Sequence, residues 1–302
     1  MRRFVKKALP LFENVAITDA GSEGKSVAKV NDMVVFVQNA VPGDVADLQL
    51  VMKKKNFAEA RAVKFHEYSD KRTKPVCSHF GICGGCKWQN MSYEWQLFYK
   101  QKQVADNLTR IGKIELPEIA KILPSSQTEY YRNKLEFTFS NKKWLTNVNE
   151  GEEAINMDAL GFHIQLRFDK IIDVQHCYLQ ANPSNEIRNA IREYAIKNEL
   201  RFFDLKLQQG FLRTLIIRTS SNGGLMVIVT FFQEDAQARI NLLNYIKEKF
   251  PQITSLMYVI NPKGNDTIQD LDMECFAGVP YITEQMEELT FRIGAKSFYQ
   301  TN

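Results

Sequence analysis

Four of the five cysteines in this 302-residue chain have residue types and spacing suited to binding metal. They are Cys77, Cys83, Cys86 and Cys177. Thiolates are soft ligands, so a set of four suits an iron-sulfur cluster or a zinc ion. Gly84 and Gly85 lie beside Cys86 and let the backbone approach such a centre closely, because glycine has no side chain. Cysteines that only fill an apolar core are the alternative, and the isolated Cys275 is expected to be a core or surface thiol.

Positive charge is concentrated in the first 118 residues of the chain. These carry 19 Lys and Arg against 13 Asp and Glu, whereas the remaining residues carry 20 against 22. The basic clusters are Lys53, Lys54 and Lys55, then Lys64, Lys71, Arg72 and Lys74. Such patches attract the phosphate backbone of nucleic acids through the release of bound counterions. For any one cluster, a solvated charged face is an equally good interpretation.

The segment before the cysteines has the composition of a small β-barrel. Short runs of β-favouring residues occur at 27–30, 33–37, 45–50 and 60–65. Residues of the Gly, Pro, Asn and Asp type separate these runs and supply turns. Four to five strands in so short a segment predict a barrel of the oligonucleotide-binding type. Composition alone leaves other small β modules open.

The rest of the chain alternates helical and strand patterns, which predicts an α+β fold with mostly antiparallel strands. Ser92 is positioned to cap a helix whose apolar stripe reaches Ile111, and we expect that stripe to lie in a core. The other predicted elements are a helix from Asn182, a hairpin of strands at 212–220 and 225–232, a helix at 236–249 and a strand at 255–260.

One predicted strand, at 131–139, alternates polar with apolar residues. This alternation places Arg132 and Lys134 on the same face as Glu136. On that face the two cations either contact RNA phosphates or take part in a cross-strand ladder of charges. The residues support both interpretations equally, so the RNA contact is one of two hypotheses for this strand.

Nothing in the sequence predicts insertion into a membrane. No apolar run reaches the roughly 18 residues that a membrane-spanning helix needs. The basic N-terminus is followed by Pro10 and Glu13 rather than by the apolar stretch of a signal peptide. We therefore expect a cytoplasmic protein, a compartment in which thiolates more often bind metals than form disulfides.

Several motifs are collinear with those of one enzyme family. They are GKSVAKV at 24–30, KKK at 53–55 with AEAR at 58–61, the cysteine run at 77–86, YRNK at 131–134, the stretch from Gly161 to Cys177, and SFYQTN at 297–302. Together they resemble the iron-sulfur-containing 23S rRNA (uracil-5-)-methyltransferases, and the resemblance covers nearly the whole chain.

The resemblance implies an α+β multidomain organisation. Residues 1–68 would be a TRAM domain, which is an RNA-binding β-barrel related to the oligonucleotide-binding barrels. Residues 69–290 would form an iron-sulfur-bearing central domain that recognises RNA. Residues 291–302 would begin a Rossmann-like methyltransferase domain that is truncated in this sequence.

The same resemblance assigns ligands and contacts. It implies that Cys77, Cys83, Cys86 and Cys177 hold a structural four-iron, four-sulfur (4Fe-4S) cluster. It makes Gln300 a contact of S-adenosyl-L-methionine (S-adenosylmethionine). Phe298 would then stack on a base near the flipped target uridine, or else fill the junction between domains. The expected RNA contacts are Lys53, Lys54, Lys55, Arg132, Lys134 and Phe298.

The family's reaction needs groups that these residues do not match. A cysteine attacks C6 of uracil and a base removes the proton from C5. In the family both lie beyond the terminal motif, whereas this sequence ends at Asn302. Cys275 matches neither position. We therefore expect no catalytic residue among residues 1–302 and no methyl transfer by the chain alone. We also expect the chain to be a monomer.

Other functions stay open from the sequence. A non-catalytic RNA-binding module needs only the barrel and the basic clusters, and a tRNA uracil-5-methyltransferase would share the same motifs. A radical S-adenosylmethionine enzyme would use three cysteines at a C-x3-C-x2-C spacing, whereas five residues separate Cys77 from Cys83. A zinc site is the remaining alternative for the four thiolates.

Overall fold

The computed structural model describes residues 9–146, 156–165 and 167–299. The chain divides into two compact units. The first, the barrel unit, extends to Gly81 and resumes from Cys86 to Ser126. The second, the sheet unit, comprises Ile82–Gly85 and the chain from Gln127 onward. The barrel unit therefore contains residue 68, at which the sequence predicted the first domain to end, and continues past it.

The barrel unit contains the expected five-stranded barrel. Its strands are β1 (Leu11–Ala20), β2 (Ser26–Val30), β3 (Met33–Gln38), β4 (Val45–Lys53) and β5 (Phe57–Glu67). They close in the order β1-β2-β3-β5-β4. Alternate residues point inward, as in Val35 and Val37 of β3 and Ala58 and Ala60 of β5, all at most 1% exposed. These alanines and valines belong to one core cluster inside the barrel.

A helix follows the cysteine loop in the same unit. It is α1 (Tyr93–Asp106), continued by a π-helical turn at Asn107–Ile111. Ser92 occupies the capping position, but its side chain makes no capping hydrogen bond. The expectation that the apolar stripe lies in a core is wrong, because Phe98 is 51% and Ile111 78% exposed. Tyr99 is the residue that α1 buries.

The sheet unit is built on a seven-stranded sheet. Its strands are β6 (Lys134–Ser140), β7 (Ala159–Ile164), β8 (Arg167–Asp173), β9 (Leu212–Thr219), β10 (Leu225–Phe231), β11 (Ser255–Ile260) and β12 (Glu274–Gly278). The order is β12-β11-β10-β9-β6-β7-β8, with β10 and β11 parallel and the other neighbours antiparallel. The predicted hairpin and the strand at Ser255–Ile260 are confirmed.

Two helices cover one face of this sheet. They are α2 (Ser184–Lys197) and α3 (Ala236–Lys249). Ile187 of α2 and Leu243 of α3 are fully buried in the same core cluster as Leu215 and Val227 of the central strands. At the start of α3, the Asp235 carboxylate accepts a capping hydrogen bond from the N–H of Ala238. No helix in the described ranges is both long and apolar enough to cross a membrane.

A separate hairpin covers part of the opposite face. It consists of β13 (Tyr281–Met286) and β14 (Leu289–Gly294). Ile282 and Ile293 of the hairpin are buried with Ile216 and Met226 of the sheet. Strands β9 and β10 are therefore covered on both faces, which explains their nearly continuous apolar sequence. The predicted boundary after residue 290 falls inside β14.

Candidate functional site

The cysteine loop of the barrel unit begins and ends on a pair of backbone hydrogen bonds. The N–H of Thr73 donates to the carbonyl oxygen of Asn90 at 3.1 Å. The N–H of Ser92 donates to the carbonyl oxygen of Lys71 at 2.9 Å. The loop is therefore closed at its base by two short antiparallel segments, and Cys77 and Cys86 both lie within it.

Arg72 binds the base of this loop to the barrel. Its Nε and Nη2 atoms each donate a 2.7 Å hydrogen bond to a different oxygen of the Asp44 carboxylate. The Asp44 side chain is 0% exposed. Paired hydrogen bonds of this kind fix orientation as well as supplying energy. Within the loop, the N–H of Cys77 donates to Oε1 of Gln89 at 3.1 Å, so Cys77 is positioned by the loop itself.

Cys83 is positioned by the sheet unit, through the segment Ile82–Gly85 at the end of β7. The N–H of Gly84 donates to the carbonyl oxygen of His163 at 2.9 Å. A Cβ atom on Gly84 would lie only 2.9 Å from that same oxygen, so the close approach needs glycine. The N–H of Gly85 in turn donates to Sγ of Cys83 at 3.4 Å. Hydrogen bonds to sulfur of this kind stabilise thiolate ligands and tune iron-sulfur centres.

Cys177 is buried, and the first turn of α2 fixes its backbone. Its N–H donates to Oδ1 of Asn185 at 2.8 Å. The side-chain amide of Asn185 donates back to the carbonyl oxygen of Cys177 at 3.1 Å. Both backbone polar groups of Cys177 are thus satisfied by one side chain, which leaves the cysteine little freedom to move.

Arg188 lies one turn further along α2 and is 0% exposed. Its Nη1 donates to the same Oδ1 of Asn185 at 2.8 Å, and its Nη2 donates to the carbonyl oxygen of Gln175 at 2.6 Å. Burial lowers the pKa of Arg188 to about 10, while the charges of Cys177 and Asp173 act in the opposite direction. The side chain is therefore still a cation at neutral pH.

The described residues do not by themselves form a metal-binding cluster. Among the residues that the structure describes, no group of three or more His, Cys, Asp and Glu side chains is arranged to hold a metal ion. The four-cysteine site therefore stays a sequence-based prediction. Locally, the N–H of Gly85 donates to Sγ of Cys83, and the side chain of Asn185 fixes the backbone of Cys177.

The terminal motif is held by the hairpin and by β9. Nη2 of Arg218 donates to the carbonyl oxygen of Ser297 at 2.5 Å. The hydroxyl of Ser297 accepts the N–H of Gly294 at 3.0 Å, and Tyr299 packs against the core beneath the hairpin. Between these two anchored residues, the side chain of Phe298 is 89% exposed.

Gln300 lies outside the described residues. Its role as a contact of S-adenosylmethionine is therefore still a prediction from the resemblance. Thr301 and Asn302 also lie outside the described residues.

The lysine cluster of the barrel lies in the turn between β4 and β5. Lys53 ends β4, and Lys54 and Lys55 follow it; all three are exposed. Nζ of Lys54 lies 5.3 Å from the centre of the Phe57 ring. The cluster thus combines three solvated cations with an aromatic ring, which suits contact with a nucleic-acid strand.

Of the two other predicted RNA contacts, Lys134 lies on β6 and Arg132 precedes it. Lys134 begins β6, lies opposite Arg218 of β9 and shares its face with Glu136. Desolvation raises the pKa of the Glu136 carboxyl, and the cations Lys134 and Arg218 offset this in part. Arg132 precedes the strand, where its N–H donates to the carbonyl oxygen of Leu179. Both predicted contacts are half-buried rather than freely exposed.

Sequence reasoning missed three residues that organise these sites: Asn185, Arg188 and Arg218. Arg218 could have been noticed as a charge inside the otherwise apolar strand LRTLIIRT. Arg188 could have been noticed because it falls on the apolar side of α2, one residue after Ile187. A charged residue in a buried position usually has a specific partner.

The chain is similar to a known domain family and to several known proteins. Residues 13–63 match the TRAM domain family. Over 286 residues the chain is 57% identical to an RNA methyltransferase of Bacteroides thetaiotaomicron, covering 93% of this chain and 63% of that protein. The chain is a homologue of RNA methyltransferases. A second such relative, from Porphyromonas gingivalis, is 53% identical over 293 residues, covering 95% of this chain and 63% of that protein.

A solved structure shares the fold. It is the Pyrococcus abyssi tRNA (uracil-54, C5)-methyltransferase in complex with S-adenosyl-L-homocysteine, with a TM-score of 0.67 and 21% sequence identity. The match covers 95% of this chain and 61% of that chain. At this identity the likeness shows a common fold. The chain spans under two thirds of the length of these relatives, at 61% to 63%.

Proposed function

We propose that this chain is the RNA-recognition and iron-sulfur part of an S-adenosylmethionine-dependent 23S rRNA (uracil-5-)-methyltransferase. The observation that carries the proposal is the similarity to RNA methyltransferases, which extends over 93% of the chain at 57% identity. The motif resemblance described above supplies the choice of uracil C5 and of 23S rRNA.

The barrel captures RNA in this proposal. Its TRAM match includes β4, the first part of β5 and the turn between them, where Lys53, Lys54 and Lys55 are exposed. Three exposed cations attract phosphates without holding them to one sequence. The barrel therefore provides affinity, while the choice of target depends on the rest of the protein.

Looped RNA fits this function better than duplex RNA. The C5 atom of a stacked uracil is hard to reach, so enzymes that modify it act on bases that have left the stack. Phe298 is an exposed aromatic ring on a fixed segment. A ring in that situation suits stacking against a base near the flipped uridine.

In this proposal, named residues of the chain bind two cofactors. Cys77, Cys83, Cys86 and Cys177 hold a 4Fe-4S cluster, and four thiolates leave no iron open to substrate, so its role is structural. When bound, S-adenosylmethionine supplies the methyl group, and Gln300 is its contact in this chain. No residue that the structure describes is assigned to it.

The chain alone is proposed to be inactive. The reaction needs a cysteine that attacks C6 of uracil, and four of the five cysteines are committed to the cluster. The fifth, Cys275, lies on β12, and desolvation raises the pKa of its thiol. A raised pKa leaves little thiolate at neutral pH, so Cys275 is a poor nucleophile.

Equilibrium binding tests the RNA assignment. Fluorescence anisotropy is measured with labelled loops tiled across 23S rRNA, with tRNA and with a duplex of matched length. We expect one 23S loop to bind more tightly than the tRNA and the duplex. Tighter binding of tRNA would transfer the proposal to a tRNA enzyme, and equal binding of every RNA would contradict a specific recognition role.

A methyl-transfer assay tests the inactivity. The anaerobically purified chain is incubated with the RNA that it binds and with radiolabelled S-adenosylmethionine. We expect no label in the RNA. Incorporation of label would show that the nucleophile lies within this chain.

A further inference from the structure

An exposed tyrosine follows the last strand of the barrel and is stacked on a second ring. Tyr68 comes directly after β5 and is 71% exposed. Its ring centre lies 5.1 Å from that of Phe65, and the two ring planes are inclined by 24°. Phe65 in turn packs against the core of the barrel. The exposed ring therefore has a fixed, partly buried ring behind one of its faces.

Arg72 lies beside both rings rather than in front of them. Its guanidinium carbon is 4.7 Å from the centre of the Phe65 ring and 5.3 Å from the centre of the Tyr68 ring. Since the ring centres are 5.1 Å apart, the three points form a nearly equilateral triangle. The guanidinium therefore does not lie across the Tyr68 ring from Phe65. The outer face of the Tyr68 ring is left in solvent, in agreement with its high exposure.

One buried carboxylate fixes the backbone and the cation around this ring pair. Asp44 accepts the N–H of Ser69, the residue after Tyr68, at 3.0 Å, and it accepts two hydrogen bonds from Arg72 at 2.7 Å. The hydroxyl of Ser69 donates to the carbonyl oxygen of Pro42 at 2.7 Å. The surroundings of the ring are thus ordered before any ligand arrives, so binding against it costs little conformational entropy.

The chain around the ring pair is positively charged. Residues 61–74 contain five basic and two acidic residues, namely Arg61, Lys64, Lys71, Arg72 and Lys74 against Glu67 and Asp70. Arg61 and Lys64 are exposed on β5, between the lysine cluster at 53–55 and Tyr68. The 11 residues of β5 span roughly 35 Å. A flexible polyanion that carries flat apolar rings matches such a surface, and single-stranded nucleic acid has that chemistry.

We propose that the outer face of Tyr68 is a base-stacking platform for single-stranded RNA. Phe65 supports the ring from behind, and Arg72 is a positioning residue that holds the pair. The phosphates of the bound strand follow the exposed cations of β5. Both rings lie outside residues 13–63, so the match to the TRAM family does not include them. The inference rests on the RNA capture assigned to the barrel under the proposed function and adds a binding site to it.

Tyr68→Ala tests the platform directly. Fluorescence anisotropy is measured with the full chain and a labelled single-stranded RNA of mixed sequence, about 12 nucleotides long, within the site size of oligonucleotide-binding barrels. We expect the affinity to fall about five- to 150-fold, the effect of losing one stacked base. The slope of log affinity against log salt should stay the same, because no phosphate contact is removed. Unchanged affinity in the folded variant would overturn the proposal.

Two further substitutions separate the ring from other properties of the side chain. Tyr68→Phe keeps the ring and removes the hydroxyl, so it should bind RNA like the unaltered chain. Tyr68→Leu keeps an apolar side chain without a ring, so it should lose affinity as Tyr68→Ala does. If Tyr68→Leu bound RNA like the unaltered chain, stacking would not be the cause of binding and the proposal would be wrong.

Phe98→Ala is the matched control. Phe98 is an exposed ring of the same unit, and its neighbours Trp95 and Tyr99 meet it edge-on rather than in parallel. The variant should keep the affinity of the unaltered chain. Circular dichroism establishes that every variant is folded. Equal losses of affinity in Tyr68→Ala and Phe98→Ala would contradict a specific platform at Tyr68.

An RNA duplex of matched length provides a second control. Its bases are already stacked on one another, so Tyr68→Ala should leave duplex binding unchanged. An equal loss of affinity for duplex and single strand would overturn stacking as the role of the ring.

Failure of the inference is distinguishable from failure of the proposed function. If the unaltered chain binds no RNA, the capture of RNA by the barrel is wrong and the platform falls with it. If binding weakens when Lys53, Lys54 and Lys55 are changed to Gln but not in Tyr68→Ala, the capture of RNA stands and only the platform is refuted.

Discussion

Nη2 of Arg218 donates a 2.5 Å hydrogen bond to the carbonyl oxygen of Ser297. Arg218 belongs to β9, the middle strand of the seven-stranded sheet, and is 4% exposed. The terminal motif is therefore tied to a buried position in the middle strand of the sheet. Phe298 follows Ser297 directly and is 89% exposed. A fixed backbone that presents an exposed ring has the pre-organisation that a binding contact needs.

Removing this hydrogen bond should loosen the motif without unfolding the sheet. In Arg218→Met we expect faster amide hydrogen exchange at residues 295–299 and unchanged exchange in β10, because the carbonyl of Ser297 loses its partner. Hydrogen-exchange mass spectrometry measures both. Arg292→Met is the control, since Arg292 is exposed on β14 and its guanidinium lies over the Tyr281 ring. Equal exchange at 295–299 in both variants would show that Arg218 does not fix the motif.

Phe298→Ala should weaken RNA binding and leave stability unchanged. Loss of one base-stacking contact reduces affinity by about 1–3 kcal/mol, or roughly five- to 150-fold. Because the ring is exposed, its removal leaves no cavity. Phe168→Ala is the matched control, as Phe168 is 71% exposed in the same unit. Anisotropy titrations that show the same loss in both variants, or in neither, would argue against a stacking role.

Neutralising the lysine turn should reduce the salt dependence of RNA binding. Changing Lys53, Lys54 and Lys55 to Gln removes three phosphate contacts, so the slope of log affinity against log salt should fall by about 2 for single-stranded RNA. All three side chains are exposed, so the barrel should keep its stability. Lys197, Lys247 and Lys249 of α2 and α3, changed together, serve as the control. A triple Gln variant with an unaltered slope would place the RNA elsewhere.

Local sequence pattern made parts of the fold predictable. Apolar runs separated by Ser221–Gly224 gave the hairpin of β9 and β10, and α3 was predicted over its observed range, Ala236–Lys249. The four barrel runs correspond to β2, β3, β4 and β5. In the barrel strands and α3 the buried face repeats at the period of the element, whereas β9 and β10 are continuous apolar runs buried on both faces.

In β1 and in the hairpin of β13 and β14, the sequence pattern does not reveal how the residues pack. In β1 the pairing with β4 shifts register between Phe12 and Val15, and Asn14 has a φ of 53°, so the alternation of the strand is broken by a bulge. The hairpin of β13 and β14 buries Ile282 and Ile293 but exposes most of its other residues, which leaves little pattern to detect.

The candidate sites also contain residues that the sequence indicates and residues that it does not. Cysteine types and spacing are visible in the sequence, so the ligand set was predicted, although no observation of the structure yet tests it. The roles of Asn185, Arg188 and Arg218 depend on which backbone groups they meet after folding. Those partners are distant in sequence or lie across an element boundary, so no local pattern indicates them.

Asp204 should make the stability of the chain sensitive to acid. Burial raises the pKa of this carboxyl, but N–H groups of Leu207 and Lys206 and the ammonium of Lys142 lower it to about 2 overall. A pKa below the unfolded value means that stability is present above about pH 4 and is lost as the pH falls toward about 2. Asp204→Asn should therefore lower the free energy of unfolding by about 2 kcal/mol near neutral pH.

The difference between Asp204→Asn and the unaltered chain should disappear as the pH approaches about 2, because the native carboxyl is then also protonated. Urea unfolding at several pH values measures this. Asp270→Asn is the control, since Asp270 is exposed in its ion pair with Lys263 and should contribute little. A difference that is independent of pH would refute the assigned cause.

The proposed methylation of 23S rRNA is tested most directly by quantifying 5-methyluridine in the RNA of the source organism after deletion of the sequence that encodes this chain. Nuclease digestion followed by mass spectrometry maps the modified position in 23S rRNA and in tRNA. We predict loss of 5-methyluridine at one position of 23S rRNA, with tRNA unchanged. Retention of every 23S rRNA 5-methyluridine, whether or not tRNA loses its own, would contradict the proposed function.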